Sequence, residues 1–139
     1  MDFPHKEITE TILNRFYKVY NILGYGFLEK IYQNSLAIEL IQAGFQVETE
    51  KSIPVYYCGR SVGNYFADIV VNNAVVLELK AAEGLDERNE QQLRNYLRAS
   101  NIEVGLLLNF GKKPEFKRIY YSNARKCFLK TEDAPPVDL

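Results

Sequence analysis

Three charged side chains interrupt an apolar stretch between residues 67 and 80: Asp68, Glu78 and Lys80. All three are even-numbered. The odd positions of the same stretch carry large apolar residues, namely Ile69, Val71, Val75, Leu77 and Leu79. Residues directly opposite each other on antiparallel strands share one face of the sheet, so this parity predicts a hairpin with Val71 opposite Val75 and a loop of Asn72, Asn73 and Ala74. In that register Asp68 lies opposite Glu78, and Lys80 follows on the same face.

Two carboxylates and an ammonium group on one face of a hairpin are typical of metal-assisted hydrolysis. Carboxylate oxygens suit Mg²⁺ or Mn²⁺, and a nearby lysine can orient a metal-bound water. A solvated face with a Glu78–Lys80 or Asp68–Lys80 ion pair is the competing interpretation. Unpartnered carboxylates between apolar strand residues are costly, and this cost favours a bound cation.

Two helical pairs could complete such a site. Gln92 and Tyr96 are four residues apart, and Glu29 and Tyr32 are three apart, so each pair lies on one face of its predicted helix. Taken singly, each of these residues could equally be an ordinary core or surface residue. Their occurrence together with the charged hairpin favours a site.

The elements that must position these residues follow from hydrophobic periodicity. A β-type region spans Phe45 to Lys80, and the strand at its end, Val75–Lys80, should run parallel to a later buried strand through a right-handed helical crossover. This pattern predicts an α/β fold with a mixed sheet flanked by helices, in the order ααβββαββ. The other predicted elements are helices over about Pro4–Leu23, Phe27–Ala43 and Asp86–Ser100 and strands over Ile102–Phe110 and Phe116–Tyr121.

Composition excludes several classes of function. The net charge of −1 gives no overall attraction to nucleic acid. The length of 139 residues predicts one domain over residues 1–139, and we expect a frayed tail over about 131–139. One histidine, His5, and two isolated cysteines, Cys58 and Cys127, exclude a zinc site and a Ser-His-Asp triad. The start of the chain does not resemble a signal peptide and no apolar run could span a membrane, so we expect a cytoplasmic protein without a membrane partner.

Four segments together resemble a known family. Asp68 followed by Glu78-Leu79-Lys80 resembles the D…ExK signature of the PD-(D/E)XK nuclease superfamily, and Gln92 to Tyr96 is similar to its QxxxY motif. Gly26 to Tyr32 matches the motif of the GxxExxY protein family, and Ala99 to Gly111 is similar to that family's late strand. The resemblance covers about Ile8 to Tyr121. Relatives often carry a histidine shortly before the motif glutamine, and this chain has none there.

The resemblance implies a restriction-endonuclease-like core and a role for each matching residue. Asp68, Glu78 and the backbone carbonyl of Leu79 would bind Mg²⁺ or Mn²⁺, and Glu29 would bind the ion through water. Lys80 would hold the attacking water or stabilise the phosphate. Gln92 and Tyr96 would brace the site or touch phosphate.

A basic segment near the end of the chain favours a polyanionic partner. Between Gly111 and Lys130, seven basic residues accompany one acid, Glu115, with aromatic residues between them. We predict Tyr32, Lys112, Lys113, Lys117 and Arg118 as nucleic-acid contacts, although a solvated edge strand has the same composition. The basic residues are Lys112, Lys113, Lys117, Arg118, Arg125, Lys126 and Lys130.

The function predicted from the sequence is a divalent-metal-dependent endo- or exonuclease acting on DNA, directed by the structure of its substrate. A resolvase-like variant would act as a homodimer so that two sites cut symmetrically. The alternative is a nuclease-fold module that binds nucleic acid or a protein without turnover.

Overall fold

A computed structural model describes residues 3–126 of the chain, so Cys127, Lys130 and the predicted tail lie outside the described residues. No helix in the described part is both long enough and apolar enough to cross a membrane. The elements are α1 (Lys6–Leu23), α2 (Glu29–Gln42), β1 (Val47–Tyr57), β2 (Arg60–Val71), β3 (Val75–Lys80), α3 (Glu87–Ala99), β4 (Val104–Phe110), β5 (Pro114–Tyr120) and a 3₁₀ turn (Asn123–Arg125).

The five strands form one mixed sheet in the order β1-β2-β3-β4-β5. β3 and β4 are parallel, and every other neighbouring pair is antiparallel. The predicted order ααβββαββ and the parallel β3–α3–β4 unit are therefore confirmed. Because β3 and β4 are parallel, their carboxyl ends, Lys80 and Asn109, lie side by side at one edge of the sheet.

The two faces of the sheet carry separate hydrophobic cores. Helices α1 and α2 cover one face through Ile12, Phe16 and Leu36, whereas α3 covers the other through Leu93 and Leu97. All seven residues of β4 are buried, as expected of a strand covered on both faces.

The segment between α1 and α2 departs from the predicted boundaries. We expected α2 to begin at Phe27, but it begins at Glu29, because Gly26 has φ 106° and Leu28 is extended. Gly24 ends α1 with φ 69°, a conformation that favours glycine. Glu29 is therefore the first residue of α2.

The β2–β3 hairpin has the predicted register. Val71 pairs with Val75, and the amide of Ala74 donates to the Val71 carbonyl at 2.9 Å. Asn72 and Asn73 both adopt positive φ, 53° and 50°, which asparagine tolerates better than most residues. The three-residue loop is confirmed, and the pairing continues as far as Ile69 with Leu77, the residues next to Asp68 and Glu78.

Candidate active site

The ladder between β2 and β3 ends where the charged residues begin. Its last residue pair is Ile69 with Leu77. Beyond that point, the Asp68 Oδ2 atom accepts a hydrogen bond from the Leu79 amide at 2.7 Å. A side-chain carboxylate thus takes the place that a ladder carbonyl would occupy, which holds Asp68 against the backbone next to Glu78.

Strict alternation along β2 breaks at the same residue. Ile69 and Val71 belong to the α1–α2 core, but Ala67 belongs with Val70 to the α3 core. On the neighbouring strand, Glu50 falls between the paired residues opposite Ile69 and Ala67 and has φ 50°. The alternation of faces that holds from Ile69 to Leu79 therefore does not extend to Ala67, because the sheet is locally irregular at Asp68.

Glu78 is the most buried acid of the candidate site. Its side chain lies on the face covered by α3, the residue is 6% exposed, and its Oε1 atom has no hydrogen-bond partner. The carboxyl groups of Glu78 and Asp68 lie within hydrogen-bonding range of each other. A buried polar atom without a partner carries the cost of its lost hydration.

Burial raises the pKa of both carboxyl groups. Desolvation first, and the neighbouring Asp68 second, raise the pKa of Glu78 to about 9. The pKa of Asp68 is also raised, chiefly by desolvation, although its hydrogen bond from Leu79 opposes the shift. The Lys80 ammonium group lowers the pKa of both acids, and it does so too weakly to cancel their burial. The positive charge of Lys80 therefore does not offset the burial of the two acids.

Two more acids contribute to the field at Asp68. Glu29, at the start of α2, and Glu50, on β1, both raise the pKa of Asp68 by repulsion. Both are exposed, and Glu50 forms an ion pair with Lys30 at 3.3 Å. The structure therefore brings the predicted Glu29 to the site, and it adds Glu50, which the sequence analysis missed.

A tyrosine of α3 stacks on a tyrosine of β2 beside the acids. Burial first, and negative charge on Glu78 and Asp68 second, raise the pKa of Tyr96 to about 12, and the side chain of Gln92 is hydrogen-bonded to Tyr96. The ring of Tyr96 stacks on Tyr65 at 3.6 Å, and the Tyr65 hydroxyl donates to the Tyr96 carbonyl at 2.9 Å. Tyr65, which the sequence analysis also missed, thus fixes the helix against the sheet beside Glu78.

Tyr32 does not contact nucleic acid, contrary to our prediction. The residue is fully buried, and its ring stacks on Phe110 at 4.3 Å. Its hydroxyl donates to the Gly24 carbonyl at 2.6 Å and accepts from the Phe27 amide at 3.2 Å. Tyr32 therefore anchors the segment that leads into Glu29.

The predicted basic surface is divided by the sheet. Neighbouring residues of a strand point to opposite faces. Lys117 accordingly pairs with Glu90 of α3 at 2.9 Å, whereas the guanidinium of Arg118 lies over the Phe3 ring at 5.0 Å. Lys112 and Lys113 are exposed before β5. Lys117 and Arg118 therefore lie on opposite faces of the sheet and do not form one surface with each other.

Lys126 is also not a surface charge. Its residue is 1% exposed, and its ammonium group donates to the carbonyls of Ser100 and Ile102 at 3.0 and 2.7 Å. Burial lowers the pKa of Lys126 to about 8. The residue thus ties the end of the described chain to the segment that follows α3.

The loop after Lys80 is held by a buried amide. Asn109, the parallel register partner of Lys80, accepts from the Ala82 amide at 2.9 Å and donates to the Ala82 carbonyl at 3.0 Å. At Gly111 a Cβ atom would collide with the same carbonyl. Asn109 and Gly111 at the end of β4 therefore pack closely against the backbone of Ala82.

The donor set fits a hard divalent cation. Two adjacent carboxyl groups with raised pKa, one of them holding a buried oxygen without a partner, are the ligand type that Mg²⁺ and Mn²⁺ prefer. Within residues 3–126, no three His, Cys, Asp or Glu side chains stand close enough together to hold a metal ion on their own.

Comparison with known proteins assigns the family. A family model described as the PD-(D/E)XK nuclease superfamily matches residues 6–119. The chain belongs to the PD-(D/E)XK nuclease superfamily. The matched region contains every residue of the candidate site, from Glu29 to Tyr96.

Two solved structures match the chain at low sequence identity. The crystal structure of SSO0001 is 20% identical with a TM-score of 0.49, and the match covers 91% of this chain and 64% of that one. The alkaline exonuclease LHK-Exo from Laribacter hongkongensis is 10% identical with a TM-score of 0.38, over 89% and 88% of the two chains. No curated protein sequence matches the chain. Both TM-scores are below 0.5, so membership of the PD-(D/E)XK superfamily rests on the family model.

Proposed function

We propose that this PD-(D/E)XK protein is a divalent-metal-dependent nuclease that hydrolyses phosphodiester bonds in DNA. The observation that carries the proposal is the buried Glu78 carboxyl, which lies beside Asp68 with one oxygen unpartnered. Burying two acids together destabilises the folded chain unless a cation compensates. Family membership supplies the chemistry that such a cation would serve.

The roles of the acids follow from their positions. Asp68 and Glu78, with the backbone carbonyl of Leu79, would hold Mg²⁺ or Mn²⁺, and Glu29 would reach the ion through water. When bound, the ion supplies positive charge to the non-bridging phosphate oxygens and lowers the pKa of bound water. Ion binding also favours the ionised form of both carboxyl groups, which the metal-free site disfavours.

Lys80 is the basic residue that we place beside the attacking water and the phosphate. Hydrolysis forms a bond between the water oxygen and phosphorus, breaks the bond from phosphorus to the leaving oxygen, and places a proton on that oxygen. The Lys80 ammonium group acts on both carboxyl groups, so it is suited to orient the attacking water and to offset charge on the phosphate. Gln92 and Tyr96, which are joined by a hydrogen bond, would brace the side of the site nearest α3.

The test combines cleavage with thermal melting. Single-stranded, duplex, flap and four-way DNA are incubated with the wild type, Lys80→Ala, Glu78→Ala and the exposed control Lys6→Ala, with Mg²⁺ or Mn²⁺. We expect the wild type and the control to cleave at least one substrate. Lys80→Ala should lose cleavage but keep the rise in melting temperature with metal, whereas Glu78→Ala should lose both.

The same experiment separates the nuclease from an inactive module. A wild type that cleaves nothing and shows no metal-dependent rise in melting temperature overturns the proposal in favour of a fold that only binds. Loss of the metal response in Lys80→Ala would contradict the role given to Lys80, because removing a positive charge should not weaken cation binding.

A further inference from the structure

A groove is formed by chain segments that adjoin two charged residues of the candidate site. One wall is the segment 25–28, which runs directly into Glu29, and the other is the segment 81–83, which directly follows Lys80. Its floor is residues 110–112. The volume of about 360 Å³ is at the lower end of the range for ligand-binding clefts. The groove is therefore bordered by the residues next to Glu29 and Lys80.

The first wall exposes aromatic rings. Tyr25 is 59% and Phe27 44% exposed, and neighbouring Leu28 is also exposed. Exposed aromatic residues grouped beside a functional site are typical of a binding surface. Base faces stack on such rings regardless of sequence.

This wall is held rigidly rather than left loose. The buried Tyr32 hydroxyl bonds to both Gly24 and Phe27, and the Tyr32 ring packs edge-on against Phe27 at 6.1 Å. Binding to a preorganised surface costs less conformational entropy than binding to a mobile one. An internal hydrogen-bonded support for solvent-exposed rings is more than packing of the core requires.

A basic residue at the floor of the groove favours binding of phosphate there. Lys112 is exposed at the floor, and its backbone is fixed because the Tyr20 hydroxyl bonds to the carbonyls of Gly111 and Lys112 at 2.8 and 2.7 Å. Glu83 is the acid of the opposite wall. A strand in the groove would therefore place its bases on Tyr25 and Phe27 and its phosphates towards Lys112.

We propose that the groove lined by Tyr25, Phe27 and Lys112 binds unpaired nucleotides of the substrate next to the scissile phosphate. Base faces are available for stacking only where strands are separated, so the preferred substrate has a single-stranded segment at the cut. The proposal rests on the proposed nuclease function for its ligand class, and it narrows that class from DNA in general to DNA with an unpaired segment.

The first experiment uses fluorescence, because the chain contains no tryptophan. Tyr25→Trp introduces a reporter in the groove, and Tyr57→Trp introduces one at an exposed tyrosine outside it. Both are titrated in EDTA, which prevents cleavage, with oligothymidylate and with a blunt duplex of the same length. Stacking should quench the Tyr25→Trp emission with oligothymidylate only and leave the Tyr57→Trp emission unchanged.

The second experiment measures affinity by fluorescence anisotropy with the same ligands and with a duplex carrying an overhang. Loss of one stacking ring should weaken binding of the single strand and the overhang by about 5- to 100-fold in Tyr25→Ala or Phe27→Ala. Blunt-duplex affinity and the control Tyr57→Ala should not change. Lys112→Ala should reduce the salt dependence by about one phosphate contact.

The outcomes separate this proposal from the nuclease assignment. Quenching and selective loss of affinity in a protein that cleaves nothing support the groove and refute the nuclease. Cleavage by the wild type with no quenching and no change in Phe27→Ala refutes the groove and leaves the nuclease standing. An equal loss of affinity for blunt duplex and single strand refutes the preference for unpaired nucleotides.

Discussion

Replacing Glu78 with glutamine should stabilise the metal-free protein, and the gain should grow with pH. Gln keeps the size of the side chain and removes the charge that the site opposes. The folded pKa of Glu78 is about 9 against an unfolded value of 4.5. An acid with a raised pKa contributes its full stability below the unfolded value and loses that contribution as pH rises from 4.5 towards 9.

The size of the effect follows from proton linkage. At pH 7.5 the folded protein still holds the Glu78 proton, which the unfolded chain released three pH units earlier. Each unit is worth about 1.4 kcal/mol, so the free energy of unfolding falls by about 3–4 kcal/mol between pH 4 and pH 7.5 through this residue. That is a large share of the roughly 5–15 kcal/mol that stabilises a typical domain.

The assay is urea unfolding followed by far-ultraviolet circular dichroism from pH 4 to 9 in EDTA. The difference between Glu78→Gln and the wild type should increase by about 3–4 kcal/mol from pH 4 to 7.5. The exposed control Glu10→Gln should track the wild type at every pH. Parallel pH profiles for Glu78→Gln and the wild type would show that Glu78 ionises normally, and the argument for a cation would lose its basis.

Three further outcomes test the parts that support the site. Mn²⁺ should raise the melting temperature of the wild type by preferential binding to the folded state but not that of Asp68→Ala; equal shifts in differential scanning fluorimetry would argue against this ligand. Asn109→Ala should lower the free energy of unfolding by urea by about 2–3 kcal/mol, because the Ala82 amide and carbonyl lose their hydrogen-bond partners. The same change should lower kcat more than it raises KM. A change in KM alone would contradict a role of Asn109 in placing Lys80. Gly111→Ala should cost about 1–3 kcal/mol by collision with the Ala82 carbonyl, whereas Gly63→Ala, which meets no atom within 4 Å, should cost less in the same assay.

The hairpin could be predicted because parity and loop length together favour one register. Val71 opposite Val75 pairs odd-numbered with odd-numbered residues across a short three-residue loop, and the structure has that pairing. The parallel β3–α3–β4 unit followed in the same way from a short helical crossover between two apolar strands.

The rest of the site depends on an irregularity that periodicity does not encode. Alternation breaks at Asp68, opposite Glu50 at φ 50°, and places Ala67 and Tyr65 on the face of α3. Strict alternation along β2 would place Tyr65 on the face covered by α1 and α2, so its contact with Tyr96 on α3 could not be predicted. Glu50 could be found only from the register of β1, which the sequence does not specify.

The basic segment is a different kind of error. Lys117 and Arg118 are consecutive strand residues, so alternation alone places them on opposite faces. Composition suggested one patch, and the period of the strand already contradicted it. Tyr32 was misassigned for a similar reason. It lies on the buried side of α2 with Leu36 and Leu40, at steps of four residues that are typical of the buried face of a helix.

The candidate site combines local costs with rigid supports. Glu78 is buried with an unpartnered oxygen, and Glu50 holds a left-handed conformation that costs of the order of 1 kcal/mol. Around them, Asn109 clamps the loop after Lys80 and Tyr32 clamps the segment before Glu29. A cation that relieved the charge would leave this framework in place, because none of the clamping hydrogen bonds involves a titrating carboxyl. Metal binding should therefore raise stability without a change of fold, and the amide circular dichroism spectrum should be the same with and without Mn²⁺ while the unfolding midpoint moves.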